Sequence, residues 1–310
     1  MHRLTVPLAE AGRRLDQALA ALLPAHSRTR LKSWIEAGLV QVDDAVVRSP
    51  RHKLAGGEAL AVTEGAASEG GEVSAQAIAI AIAFEDGAIL VVDKPAGLVV
   101  HPGAGNRDGT LQNALLHHAP GLAALPRAGI VHRIDKDTSG LLVVAKTPEA
   151  QTDLVRQLAA RTVRREYLAV AYGDLARSAI VDAPIGRHPT LRTSMAVVES
   201  GKPARTHVDV VERLGVATIV RCRLDTGRTH QIRVHLAALG HPLIGDPTYR
   251  GRRRSAADAV PEVRAFRRQA LHAQRLGFVH PVTREPMQWE SALPGDLCAL
   301  IAALRAHRVK

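Results

Sequence analysis

Residues 163–224 constrain this chain more than any other stretch. Runs at 163–173, 206–214 and 216–224 are rich in β-branched and aliphatic residues, and a fourth at 192–199 has a similar character. Turn residues rather than helical periods separate them, so the runs should pair as antiparallel strands; a βαβ chain would place a crossover helix between partners. Helical spacing surrounds this block, at 111–118, 148–158 and 226–240. In the last of these Ile232, Leu236 and Leu239 share a face and Gly240 stands at the C-terminal stop. The expected fold class is α+β, a mostly antiparallel mixed sheet with flanking helices. Further strands are expected at 78–84, at 89–93 and from 269 onward. The stretch 250–268, with Arg252, Arg253, Arg254, Arg267 and Arg268, reads as a solvated insertion of weak periodicity.

The first 62 residues carry a separate pattern. Leu15, Leu19, Leu22 and Leu23 lie at helical spacing before Pro24. A second helix starts after Ser27, a favourable N-cap, with Leu31, Trp34 and Ile35 on one face and Arg28, Arg30 and Lys32 directed elsewhere. A tight hairpin at Asp43-Asp44 and a strand ending near Val62 complete a small module. The stretch 63–75, TEGAASEGGEVSA, is small, acidic and without apolar period, the composition of a flexible linker. The expected domains are 1–62 and 76–310, joined by a linker at 63–75.

Net charge is +11, carried by seven lysines and 34 arginines. Clustered cations bind polyanions by releasing condensed counterions, and an arginine bias favours bidentate phosphate recognition, so nucleic acid leads the candidate partners. The aromatic side chains, 3% of the chain, are too few and scattered for a platform that stacks successive single-stranded bases. Cys222 and Cys298 are isolated, which excludes a disulfide framework and a cysteine zinc site. A reducing, cytoplasmic location is expected. Neither a signal-peptide core nor an apolar run of membrane-spanning length occurs.

Chemistry concentrates in residues 129–146, GIVHRIDKDTSGLLVVAK. Ile130 and Val131 enter as strand-like residues, 141–144 leave as a buried strand, and the polar residues between read as a hairpin bend. Residues 137–140 suffice for that turn, so His132, Arg133 and Asp135 exceed what it needs; by pattern alone Asp135 still reads as a turn aspartate. Gly103, Gly105 and Gly109 fit neither G-x-G-x-x-G nor G-x-x-x-x-G-K-[ST], and no nucleotide cofactor is expected. His230 and His235 are not at H-E-x-x-H spacing, and no metal is expected. Ser139 lies outside any G-x-S-x-G and is left to turn chemistry. There remain Asp135, several arginines and Tyr167 inside a strand-like run. A buried Arg is costly unless a carboxylate meets it, and Asp135 and Arg233 would satisfy each other. Arg228, Thr229 and His230 cluster at the start of the expected 226–240 helix, an anion-attracting position.

Two sets of motifs carry family resemblances. RLDQAL, SRTRLKSWIEAGLVQVDD and KLAGGE resemble the S4 (α-L type) RNA-binding domain. From about residue 78 onward, DKPAGLVVHPGAGNRDGT, AGIVHRIDKDTSGLLVVAKT, REYLAV, TGRTHQIRVHLA and RQALHA resemble the RluA family of pseudouridine synthases. Ile134 stands where that family usually has leucine, and His132 where the related RsuA branch has glycine. The resemblance implies isomerisation of specific uridines to pseudouridine in 23S ribosomal RNA, by base flipping and attack of a catalytic Asp135, without a cofactor. It also implies that Tyr167 stacks on the target base and suits proton transfer, and that Arg233 pairs with Asp135. Arg133 would fill the gap left by the extruded base, and Leu271 would wall the pocket. His132, Arg228 and His230 are expected at the RNA, as are Arg28, Arg30 and Lys32 of the S4 helix. The expected partner is 23S rRNA or a large-subunit assembly intermediate, engaged by a monomer, with no membrane partner. The alternative is an S4-type RNA-binding ribosome assembly factor whose catalytic activity is secondary.

Overall fold

The computed structural model describes every residue except 25, 27, 65–72, 104, 192, 252–254, 309 and 310, and the side chains at 28–30 and 308. The Ser27 N-cap, the three arginines at 252–254 and most of the expected linker lie outside the described residues. The chain divides into two compact units, Met1–Glu72 and Val73–Lys310.

In the first unit, β1 (His2–Thr5), α1 (Leu15–Leu22), α2 (Arg28–Glu36), β2 (Val40–Val42), β3 (Ala45–Val46) and β4 (Ala59–Val62) follow in order. The sheet order is β1-β4-β2-β3. Strand β1 is missing from the sequence expectations; its inward residues are too few to show alternation. Asp43 and Asp44 both take positive φ, 47° and 64°, the geometry of a type I′ turn whose twist matches the strands it joins. Ala59 N donates to Asp43 Oδ1 at 2.9 Å and ties that turn to β4. Leu15, Leu19, Leu31, Trp34 and Ile35 are fully buried between the helices and the sheet.

The second unit is built on a nine-stranded sheet. Its elements are β5 (Ala81–Glu85), β6 (Ile89–Lys94), α3 (Leu111–His118), β7 (Ser139–Ala145), α4 (Pro148–Ala159), β8 (Arg164–Tyr172), β9 (Ala179–Asp182), β10 (Ile185–Arg187), β11 (Met195–Val197), β12 (Arg205–Arg213), β13 (Ala217–Leu224), α5 (Gln231–Ala238), α6 (Pro261–Ala265), β14 (Leu271–Val279), β15 (Pro286–Glu290) and α7 (Gly295–Arg308). The order is β5-β6-β7-β14-β8-β13-β12-β9, with β15 on β14, and β10 pairs with β11 outside this sheet. Pairing is antiparallel except between β14 and β7, where His272 meets Ser139 and Ala273 meets Gly140.

Alternation assigns the two faces. Leu142 and Val144 of β7, Tyr167 and Ala169 of β8, Val220 and Cys222 of β13, and Leu271 and Ala273 of β14 face a core shared with α3 and α5. The intervening residues face α4 or the α6 and α7 pair on the other side. Helix α3 starts at a reciprocal box: Thr110 Oγ1 accepts from Asn113 N at 3.4 Å, and Thr110 N donates to Asn113 Oδ1 at 3.0 Å.

Three expectations are corrected. The hairpin at 129–146 does not form. Residues 126–129 wind as 3-10 turns, 131–138 are irregular, and Ile130 reaches the sheet only through a bridge to Val144. Strand β7 takes β6 along 140–145 and β14 only at 139 and 140, Val143 N donates to His132 Nε2, and residues 130 and 131 therefore meet β7 at a single bridge instead of a ladder. The turn is at 135–138, closed by Thr138 N donating to Asp135 O at 3.1 Å, and Ser139 and Gly140 already belong to β7. The helix expected at 226–240 begins only at Gln231. The Gln231 side chain holds the chain before it open: its Oε1 accepts from Thr226 Oγ1 at 2.8 Å and from Arg228 N at 2.9 Å. Finally, 250–268 is not merely a solvated insertion, because Ala257, Val260 and Val263 are buried against β8 and α7.

Candidate active site

Asp135 on the loop before β7, Tyr167 on β8, Leu271 at the start of β14 and Arg233 on α5 line one narrow pocket of about 80 Å³, together with Arg133, Arg165 and His230. They come from four separate places in the chain, and the topology makes them neighbours. Strand β14 lies between β7 and β8, which sets Leu271 on the same sheet face as Tyr167 and beside the loop that carries Asp135.

Arg233 is 5% exposed and joins two carboxylates. Its Nη1 donates to Asp135 Oδ2 at 3.0 Å, while Nε and Nη2 donate to Asp246 Oδ2 and Oδ1 at 2.7 and 2.9 Å. Burial works against its charge, but the hydrogen bonds and charges of Asp246 and Asp135 outweigh this and push its pKa above the usual arginine value. Asp246 is fully occupied, since its Oδ1 also accepts from Thr248 N and Tyr249 N at 2.8 and 3.1 Å. The guanidinium is thereby fixed from behind, and Asp135 meets it through one oxygen.

The other carboxylate oxygen, Asp135 Oδ1, has His230 Nε2 4.0 Å away. His230 caps α5 with positive φ, 57°, and its Nδ1 is 2.7 Å from Tyr249 Oη. Burial lowers its pKa, against the opposing pull of Asp135. Tyr167 is 6% exposed, and burial first, then the Asp135 charge, raises its pKa, so the phenol stays protonated near neutral pH. Lys94, fully buried at the end of β6, donates from Nζ to Pro95 O, Leu98 O and Lys136 O at 2.7, 2.9 and 2.8 Å. It pins the residue after Asp135, and burial brings its pKa down to about 8.

Of the other residues singled out by sequence, Arg133 is exposed at the pocket rim and Arg228 is half-buried, its Nε donating to Pro203 O at 3.0 Å. His132 is turned inward instead: its Nε2 accepts from Val143 N at 3.2 Å, and burial lowers its pKa to about 3. It supports β7 as a neutral ring. Lys32 is exposed, 3.4 Å from Glu36, and the side chains of Arg28 and Arg30 lie outside the described residues. No local sequence pattern marks Asp246, Lys94, Tyr249 or Arg165 as part of the site. The usable signal was the accounting that paired Arg233 with one carboxylate, because a buried guanidinium with five donors has room for two. Among the described residues the one group with metal-ligand spacing is His2, His26 and Glu64 in the first unit, not at this pocket. No described helix is long and apolar enough to cross a membrane.

The sequence profile of RNA pseudouridylate synthase matches residues 88–238, and that of the S4 domain matches residues 13–60. A ribosomal large subunit pseudouridine synthase D of Nitrosomonas europaea is 56% identical over 97% of this chain and 87% of its own length. The protein of that name from Pseudomonas aeruginosa is 53% identical over 98% of this chain and 95% of its own. Among solved structures, human RNA pseudouridylate synthase domain containing 1 is 29% identical with a TM-score of 0.54, covering 74% of this chain and 96% of that one.

Proposed function

Since the chain belongs to the RNA pseudouridylate synthase family, with an S4 domain at its N-terminal end, we propose that it converts specific uridines of 23S rRNA in the large ribosomal subunit to pseudouridine. The isomerisation breaks the N1–C1′ bond, rotates the uracil, forms the C5–C1′ bond and moves the C5 proton away while N1 gains one. Atoms and oxidation state balance without a cofactor. The observation that carries the reading is the carboxylate of Asp135, held by one oxygen on a buried, doubly anchored guanidinium beside a neutral tyrosine.

Asp135 is the group that attacks the flipped nucleotide. Arg233 holds that carboxylate oriented through the Nη1 contact to Oδ2, so no reorganisation is needed when charge moves. Tyr167 stacks on the base and handles its proton, and Leu271 closes the pocket wall. Arg133, exposed and two residues before Asp135, takes the space the base leaves, offsetting an unstacking cost of a few kcal/mol. The basic second helix of the S4 unit and residues 228–230 hold the RNA by its phosphates. The domains act as 1–62 and 76–310 on either side of a linker at 63–75. The protein acts as a monomer in the cytoplasm, where the ribosomal substrate is made.

Asp135→Ala should abolish pseudouridine formation while RNA affinity is largely kept. Turnover in that variant above a few per cent of wild type would sink the assignment. Carbodiimide-dependent reverse-transcription stops, mapped on rRNA from cells with and without the protein, identify the uridines; no difference in 23S rRNA would overturn the substrate.

A further inference from the structure

Beside the pocket lies a second cavity of about 460 Å³ whose lining includes Arg127, Arg133, Arg161, Arg165, Arg228 and His101. Arg133, Arg165, Gly227 and Arg228 line both spaces, so the two adjoin. His101 Nδ1, His132 Nδ1 and Arg165 Nε, buried side-chain polar atoms without a hydrogen-bond partner among the described residues, belong to residues lining this cavity. Arg165 is the most demanding of them. It is 8% exposed, its guanidinium meets no carboxylate or carbonyl among the described residues, and a Cβ on Gly227 would fall 2.8 Å from its Nη1. The cavity contains one carboxylate, Asp225, which is held by His207 Nε2 at 3.1 and 3.2 Å.

A buried, unpaired arginine is costly in a folded chain, and such a group is kept where an anion meets it. Arg127 and Arg161 add cations with no acceptor of their own among the described residues, both on backbone of positive φ, 54° and 61°. Burial and the charges of Arg133 and Arg127 keep His101 from adding a proton readily. The required anion is therefore supplied from outside. A base seated in the pocket leaves its own phosphates one sugar away, and the adjoining cavity shares four lining residues with that pocket. We infer that the second cavity seats a backbone phosphate of the RNA strand next to the target uridine, with Arg165 as its buried bidentate anchor. The inference rests on the RNA substrate proposed above.

The test uses the full chain and transcribed 23S rRNA. Pseudouridine formed by wild type is the gate; its absence would overturn both the substrate reading and this subsite. With the gate passed, Arg165→Met should weaken RNA binding about tenfold or more. It should also reduce the slope of log Kd against log salt by roughly 0.7 to 0.9, one phosphate contact. Arg165→Lys should keep the slope and recover part of the affinity. Thermal stability of the Met variant should not fall, because an unpaired charge has been removed. A lowered Tm with an unchanged salt slope would make Arg165 a structural residue and overturn the inference. A measurement on the unaltered protein guards against misfolding: single methylphosphonate linkages flanking a converted uridine in a synthetic fragment. One position should weaken binding about tenfold, and equal binding at every position overturns the subsite.

Discussion

Asp246→Asn tests how far the pocket depends on a residue that touches no substrate. Asp246 Oδ1 serves three donors, Arg233 Nη2, Thr248 N and Tyr249 N, while Oδ2 serves Arg233 Nε alone at 2.7 Å. An asparagine must keep its oxygen at the Oδ1 position, which sets its NH₂ against the Nε–H of Arg233. One charge-assisted hydrogen bond becomes a donor facing a donor in a buried place, a loss of about 3 kcal/mol. For a unit of this size that is a fall in Tm of about 6 to 12 °C. The guanidinium, released on one side, no longer holds Asp135 to its angle, and kcat should drop on the order of 10- to 100-fold with KM little changed. Calorimetry reads the first effect, and tritium release from C5-labelled RNA at saturating substrate reads the second. A variant with wild-type Tm and wild-type kcat would refute the view that Asp246 fixes the catalytic pair from behind.

Lys94→Met removes three hydrogen bonds that hold residues 95, 98 and 136, and should lower kcat on the order of tenfold by loosening the Asp135 turn, measured by the same tritium release. In the native protein the pKa of Lys94, near 8 against 10.5 for the free side chain, means that the unfolded chain holds more protons between those values. The Lys94 contribution to stability therefore rises with pH across that window, while activity falls as the third donor is lost. Urea titrations and rate profiles from pH 7 to 10 should show opposite trends, and Lys94→Met should show neither. Gly140→Ala places a Cβ 2.2 Å from Ala273 O at φ 111°, and should cost about 3 kcal/mol or more, read as a lowered urea midpoint; an unchanged midpoint would refute the tight β7–β14 approach.

The sequence was most informative where the local signal and the tertiary need agree. Helix α3 runs over 111–118 as its spacing implies, because Thr110 and Asn113 cap it where the apolar period starts. Strand β8 keeps its long apolar run because both of its faces are buried. The hairpin expected around Asp135 gives way to an irregular loop because β7 takes its neighbours, β6 and β14, from other parts of the chain, and no local period reports that. Asp246 sits in a loop with Gly245 and Pro247, where an aspartate is ordinary turn chemistry; its role appears only when Arg233 swings next to it. His132 and Arg133 are neighbours in sequence but face opposite ways, one into β7 and one to solvent, which the residue types alone do not distinguish. Asp135 owed its assignment to the family resemblance, and the contact with Arg233 is what the pattern of buried charge implied.

The place of β14 in the middle of the sheet has a consequence for how the protein comes into being. It is the penultimate strand to be synthesised, yet it is the one that joins β7 to β8 and carries Leu271 into the pocket. A nascent chain that ends before residue 271 has two open edges where the centre of the sheet should be, each ready to recruit a strand from elsewhere. Asp135, Tyr167 and Arg233 are all translated by then, but the wall between them is not. Activity thus arrives late and all at once, and a protein made on a ribosome remains inert until that ribosome has nearly finished it.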